Sequence, residues 1–301
     1  MSLPRRSLFA LAGLALAGCA AGEWEGGRIR LATGSAGGPY EQLGDRFAAE
    51  LRRVGFEVGV LKTAASVENL EMLSDGRADA AFALADSADH AVRVRRQPVA
   101  ALARMYMNYV HLVVRAGSAV MAPRDLAGRS VSLGAEGSGT AVTAERVLRA
   151  AGLTGTRPLK LGLDASIKAL RDGRVDAFFW SGGVPTPALA VLDDVRLRAL
   201  DTLVPVLRRA HGPLYEHAAF PAGVYGAAEP VATVGTPSYL VCRRDLDVEL
   251  ARELTATLFA SRDRLQAPDA PGGRLDRRYA IGTGAVPLHP GAARYYRSVY
   301  G

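Results

Sequence analysis

Short unbroken apolar runs alternate along this chain with stretches in which apolar residues recur every three or four positions. The run RIRLATG (28–34) reads as a buried strand and SAGGPY (35–40) as a glycine turn, while Leu43, Phe47, Leu51 and Val54 follow at helical spacing. FEVGVLKT (56–63) predicts a second strand, SVENLEML (66–73) an amphipathic helix and ADAAFALA (78–85) a third strand, with Asp75-Gly76 marking the turn before it.

The same order returns further on. LSDGRADAAF (73–82) and LRDGRVDAFF (170–179) share their Leu, Asp-Gly-Arg, Asp-Ala and closing Phe in register, which points to an internal duplication. In the second copy SVSLG (130–134) is a strand and AEGSGT (135–140) a glycine loop, and Val147, Leu148 and Ala151 lie on the apolar face of the next helix. RPLKLG (157–162), the helix ASIKALRDG (165–173) and the strand VDAFFWSGG (175–183) complete it. Gly34 aligns with Gly134, Gly37 with Gly137 and Asp79 with Asp176, so two βαβαβ units lie in tandem.

Such units predict an α/β protein of two lobes, each a mainly parallel sheet flanked by helices, with a ligand cleft between the carboxyl ends of the strands. Beyond the second unit, VRLRALD (195–201) and a Pro-rich stretch lead to the extended run VATVGTPSYLVCRRD (231–245), read as the return crossing to the first lobe. A helix carrying Leu250, Leu254, Leu258 and Leu265 on one face follows it. The expected division is 28–110 with 231–301 as lobe 1 and 111–230 as lobe 2.

Composition adds a compartment. With 49% hydrophobic residues over 301 positions the chain is globular rather than disordered. Residues 1–18 stand apart: Arg5 and Arg6, an apolar run over 8–16 and small residues before Cys19 are the parts of a signal peptide, and the run is too short to span a bilayer. Leu16-Ala17-Gly18-Cys19 resembles the lipobox of bacterial lipoproteins, which implies lipid on Cys19, residues 19–27 as a tether and a chain held at a lipid bilayer in the periplasm. An ordinary cleaved signal with an incidental cysteine is the other reading. The Arg5-Arg6 pair is a loose twin-arginine match, which leaves the export route open. Cys242, in an apolar run, is expected as a small buried residue without a disulfide partner if Cys19 is acylated.

The formal charge of +7 falls by two, to +5, when Arg5 and Arg6 leave with the leader. Lys and Arg are scattered, and no basic cluster interleaved with aromatics occurs, so nucleic acid is not an expected partner; small organic anions or a lipid surface fit the bias. The five histidines lack metal-ligand spacing, with His111 and His289 read as structural, and no GxSxG, HExxH or paired catalytic carboxylates occur. No metal, no cofactor and no enzymatic activity are expected.

Candidate chemistry gathers at the glycine loops. ATGSAGGPY (32–40) brings backbone N–H groups and a helix start to a ligand, although it is neither a Walker A nor a full GxGxxG, and a plain tight turn is its bland reading. The equivalent loop AEGSGT adds the hydroxyls of Ser138 and Thr140. Asp86 and Ser87 follow the third strand, with Trp180 and Ser181 in the corresponding place of the second unit; Trp180 is either a stacking wall or core. Asp79 and Asp176 are assigned to their turns.

Five ordered segments, TGSAGGPYEQLG, TAASVENLEMLSDGRADAAFALAD, LGAEGSGTAVTAERVL, LRDGRVDAFFWSGGVPTPAL and PLHPGAARYY, resemble the TAXI-type solute receptors of tripartite ATP-independent periplasmic (TRAP) transporters over nearly the whole mature chain. The resemblance implies a type II-like periplasmic-binding-protein fold that closes on a small organic anion, an amino acid, dicarboxylate or 2-oxoacid. It also implies delivery to the membrane subunits of a TRAP permease driven by an ion gradient. It places ligand contacts at Ser35, Tyr40, Asn69, Asp86, Ser87, Ser138, Gly139, Thr140, Trp180 and Thr186. Pro39 departs from the aliphatic residue frequent in the family and removes one N–H from the first loop. Asn69 as a helix-surface residue and Asp86 as an N-cap are the structural alternatives. A ligand-sensing partner of a membrane signalling protein and a cleft enzyme are the rival functions.

Overall fold

A computed structural model describes residues 27–265 and 275–300; the expected signal peptide over 1–18, and Cys19, lie outside the described residues. The first unit runs β1 (Arg28–Ala32), α1 (Pro39–Arg53), β2 (Glu57–Leu61), α2 (Ser66–Ser74), β3 (Ala80–Leu84) and α3 (Ala85–Arg93), and leads into the long strand β4 (Val99–Arg115). The second runs β5 (Ser130–Ser132), α4 (Gly139–Ala150), β6 (Arg157–Leu159), α5 (Leu163–Arg171), β7 (Ala177–Gly182) and the short α6 (Pro187–Ala190). Then come β8 (Val195–Leu197), α7 (Val204–His211), β9 (Glu216–Phe220), β10 (Val231–Arg243), α8 (Val248–Ala260), α9 (Arg262–Leu265), α10 (Arg277–Ala280) and α11 (Pro290–Tyr300).

Local sequence explains these elements. In α1, Tyr40, Gly44, Phe47, Ala48 and Leu51 are buried at helical spacing, Pro39 occupies the first turn where its missing N–H costs nothing, and Arg52 and Arg53 favour the carboxyl end. Ser138 caps α4 by accepting from the Ala141 amide at 3.2 Å, and Asp247 caps α8 by accepting from Glu249 and Leu250 at 2.9 Å. Every residue of β3 and β7 is buried, which is why both read as unbroken apolar runs, whereas β2 at one end of the sheet has exposed positions.

The strands form one ten-stranded sheet, in the order β2-β1-β3-β10-β4-β7-β5-β6, with β9 beside β10 and β8 beside β4. Each unit's own three strands are parallel, as expected, but β10 and β4 are antiparallel to their neighbours and to each other. Each lobe thus keeps the mainly parallel sheet expected of it, and the hydrogen bonding continues from one to the other. The two parallel half-sheets are joined through β10 and β4, and the expected boundary at 110/111 falls inside β4. The first part of β4 pairs with β10 and, at Ala101, with Leu288; its last part pairs with β7 and β8. Strand β10 likewise changes partner, from β9 at Val231 to Gly235 to β3 at Ser238 to Cys242. A bulge between Pro237 and Tyr239 breaks the β10–β4 ladder beside the crossing pair Thr236 and Asn108.

The duplication holds down to individual hydrogen bonds. After α2 the amides of Gly76 and Arg77 donate to Leu73 and Met72, and after α5 those of Gly173 and Arg174 donate to Leu170 and Ala169. Asp79 then accepts from the Arg30 amide at 2.9 Å and its guanidinium at 2.8 and 2.9 Å, while Asp176 accepts from the Ser130 amide at 2.9 Å and Arg129 at 3.3 Å. Both aspartates thus clamp the first strand of their unit rather than serving only a turn. Burial opposes ionisation of Asp79, yet the Arg30 hydrogen bonds hold its carboxyl below the usual carboxylate range.

The Asp79 side chain is 12% exposed and that of Asp176 27%. Asp79→Ala is therefore expected to cost about 1–3 kcal/mol of unfolding free energy, and Asp176→Ala about 1 kcal/mol or less, in parallel urea titrations.

Candidate functional site

The carboxyl ends of the parallel strands of both units open on one cleft of about 570 Å³, measured out to its mouth. From the first unit, the loop after β1 contributes Gly34, Ser35 and Gly38 to Tyr40, the loop after β2 contributes Ala64 to Ser66, and β3 contributes Leu84. The second unit mirrors this with Gly134, Ala135 and Ser138 to Thr140, with Leu161 to Leu163 after β6, and with Phe179, Trp180 and Ser181 of β7. Asn108 of β4 forms the floor. It bonds Ser238 Oγ, opposite the bulge in β4, and that hydroxyl also pairs with Tyr40 Oη at 2.7 Å. Burial drives the Tyr40 hydroxyl well above its ordinary pKa, so it serves as a neutral hydrogen-bonding group.

Trp180 is held on three sides. Its Nε1 donates to Thr186 Oγ1 at 3.0 Å, and an ideal Cβ on Gly182 would lie 2.4 Å from that nitrogen, so only glycine lets the indole fold back over the strand. The far edge of the ring reaches the other unit, within 3.9 Å of an ideal Cβ on Gly38. Behind it, His111 Nδ1 lies 2.9 Å from Tyr109 O and 3.2 Å from Trp180 O, and Nε2 lies 3.2 Å from Tyr225 Oη. Burial lowers the His111 pKa to about 4.

The two units touch across the cleft. Gly137 O accepts from the Val67 and Glu68 amides at 3.0 and 3.1 Å, so a carbonyl of one unit caps helix α2 of the other. An ideal Cβ on Gly139 would sit 2.4 Å from Ser66 Oγ; glycine is what permits this approach. A buried cluster closes the flank: Asp86 Oδ2 accepts from Thr143 Oγ1 at 2.7 Å and Tyr215 Oη at 2.8 Å, Arg146 Nη1 donates to Tyr215 Oη at 3.1 Å, and Arg146 stands 4.0 Å from Asp86.

Six residues singled out from sequence, Ser35, Tyr40, Ser138, Gly139, Thr140 and Trp180, come together on the cleft wall. Four do not border it. Asn69 is fully buried, donating to Thr33 O and Phe82 O at 2.7 Å each and accepting from Thr63 at 2.6 Å, so it secures the loop after β2 from behind. Asp86, with Ser87 bonded to it at 3.2 Å, faces helix α4 in the interlobe cluster. Thr186 acts through Trp180. Sequence reasoning passed over the third loop pair, Ala64 to Ser66 and Leu161 to Leu163, and also Asn108 and Phe179. The loop pair was within reach, because the duplication that matches the loops after β1 and β5 also matches those after β2 and β6.

Two parallel half-sheets joined by exchanged antiparallel strands, with a cleft across their carboxyl ends, define the two-lobed periplasmic-binding-protein fold. The chain belongs to the NMT1-like family, whose profile matches residues 31–299. Among solved structures it is similar to a protein of Bordetella bronchiseptica, at 20% identity and a TM-score of 0.55, covering 87% of this chain and 83% of that one. It is also similar to an ancestral arginine-binding protein bound to arginine, at 16% identity and a TM-score of 0.52, covering 92% of this chain and 100% of that one. A Xanthomonas citri protein bound to chloride matches at 16% identity and a TM-score of 0.52, covering 90% and 95%. At these identities the likeness is one of fold.

Asp86→Ala strands the buried Arg146 without its counter-charge, and a loss of about 3–5 kcal/mol is expected in chemical denaturation, against about 1 kcal/mol for the exposed Asp164→Ala. His111 is neutral when folded, whereas the unfolded chain takes up a proton below its ordinary pKa of 6.5. Its contribution is complete above that value and is lost as pH falls toward about 4, a decline on the order of 3 kcal/mol. Thermal midpoints between pH 7.5 and 4.5 are expected to fall more steeply for the native chain than for His111→Gln.

Proposed function

We propose that this protein is an exported solute-binding receptor that captures a small carboxylate-bearing solute by closure of its lobes. It hands the solute to the membrane subunits of a TRAP-type permease driven by an ion gradient. The observation that carries the reading is the single cleft walled by duplicated glycine loops, with helices α1, α4 and α5 beginning at its rim. Helix starts offer free backbone N–H groups and positive potential, the complement of a carboxylate. A ligand gripped from both lobes favours the closed form only through contacts it makes with each, and the cleft supplies donors on both sides. Ser35, Tyr40, Ser138, Gly139, Thr140 and Trp180 are the proposed contacts. Asn69, Asp86, Ser87 and Thr186 hold the wall and the interlobe seam. The leader and Leu16-Ala17-Gly18-Cys19 support a periplasmic protein tethered by lipid on Cys19, and the five TAXI-like segments support the permease as partner.

Thermal midpoints of the purified protein, unfolded and refolded to shed any copurified ligand, test this against organic acids, amino acids and sugars. A carboxylate is expected to raise the midpoint without being consumed. Trp180→Ala and Thr140→Ala are expected to weaken its binding about tenfold or more, with both variants still folded. Response to sugars alone, or unchanged affinity in both variants, defeats the site; turnover of the bound compound makes the protein an enzyme. Uptake into vesicles that survives collapse of the ion gradient removes the TRAP assignment.

A further inference from the structure

The cleft has an unusual electrical character for a site that takes an organic ion. None of the described residues that border it carries a charged side chain. Glu41, the acid in the first turn of α1, is committed to Lys62 at 2.5 Å and to the Gly37 amide at 2.6 Å; Glu68, in the first turn of α2, accepts from the Ala64 amide at 2.6 Å; Glu136 and Asp164, in the second unit, are exposed. The buried Asp86 is spent on Thr143, Tyr215 and Ser87. What remains is the positive potential of three helix starts, hydroxyls, and apolar walls from Leu84, Phe179 and Trp180.

Ser181 supplies an independent pointer to a ligand. It borders the cleft and is only 8% exposed, and its Oγ has no hydrogen-bond partner among the described residues. A buried hydroxyl left unpaired is costly, and a partner supplied from outside the chain is one way to satisfy it; of the five such side-chain atoms among the described residues, that of Ser181 is the one whose residue borders the cleft. The Ser181 amide donates to Thr140 Oγ1 at 3.2 Å, which uses one acceptor site of that hydroxyl and leaves its proton free to donate. Ser181 and Thr140 thus present two adjacent O–H donors beside the start of α4.

Resting on the reading of the cleft as a solute site, we infer that Ser181 is a ligand anchor and that the solute is an organic anion bearing no ammonium group. The field that attracts a carboxylate repels a fixed cation, and the cleft walls offer no carboxylate to offset the desolvation of an ammonium. A 2-oxoacid or simple carboxylic acid with a compact apolar body fits; a 2-amino acid does not.

Calorimetric titration of the refolded protein, produced from its full sequence, with matched pairs tests both parts: pyruvate and alanine, 2-oxoisovalerate and valine, phenylpyruvate and phenylalanine, 2-oxoglutarate and glutamate. In at least one pair the oxoacid is expected to bind at least tenfold tighter than its amino acid. Ser181→Ala is expected to weaken that oxoacid about tenfold while leaving the midpoint without ligand unchanged or higher, because the hydroxyl it removes has no partner in the fold. Ser181→Cys, a weaker donor, is expected to fall between. Amino acids binding as tightly as their oxoacids overturn the ammonium-free assignment and leave the receptor reading standing. Unchanged oxoacid affinity in Ser181→Ala and Ser181→Cys overturns the anchor. Silence from every member, together with the organic acids and sugars of the wider panel, removes the receptor reading and this inference with it.

Discussion

Strands β4 and β10 run antiparallel through the middle of the sheet, and everything else is placed by where they cross from one half to the other. Because each exchanges partners along its length, both lobes share one hydrogen-bonded frame and cannot drift apart as beads on a linker. A bulge in β4 faces Ser238 beside the cleft. It leaves Ser238 free of the regular β10–β4 ladder, and its hydroxyl ties Tyr40 of one glycine loop to Asn108 of the cleft floor.

Charge is divided sharply between the seam and the cleft. Asp86 and Arg146 sit in the flank between the lobes, almost wholly removed from water, where Thr143 and Tyr215 satisfy the carboxylate. Such a group costs much to bury and more to leave unpaired, so it resists misalignment of the two surfaces. The cleft keeps only dipoles and hydroxyls. The buried charge cluster and the uncharged cleft thereby occupy neighbouring but separate places, and Asp86, only two residues beyond Leu84 on the cleft wall, belongs to the first.

Much of this was readable from residue order. The matched segments ending at Phe82 and Phe179 disclosed two equivalent units, and the glycine loops after their first strands located one of the loop pairs that wall the cleft. Asn69 and Asp86 show where such reading stops. Polar residues beside a predicted ligand loop look alike in sequence whether they face the ligand or the back of the loop, and here the direction of the side chain decided. Asn108 was hidden for a different reason, inside a strand long enough to serve both lobes.

The sequence by itself determined the local elements, the duplication, the polarity of each parallel unit and the anion-ready loops, because these follow from spacing, turn chemistry and helix starts within some ten residues of each other. Tertiary structure alone decided that the half-sheets merge into one, that Gly137 caps a helix of the opposite lobe, and that Ser181 is left with an unpaired hydroxyl. Those outcomes depend on contacts between residues far apart in the chain. There the packing of one lobe against the other settles which donor finds a partner, and periodicity along a single segment carries no record of it.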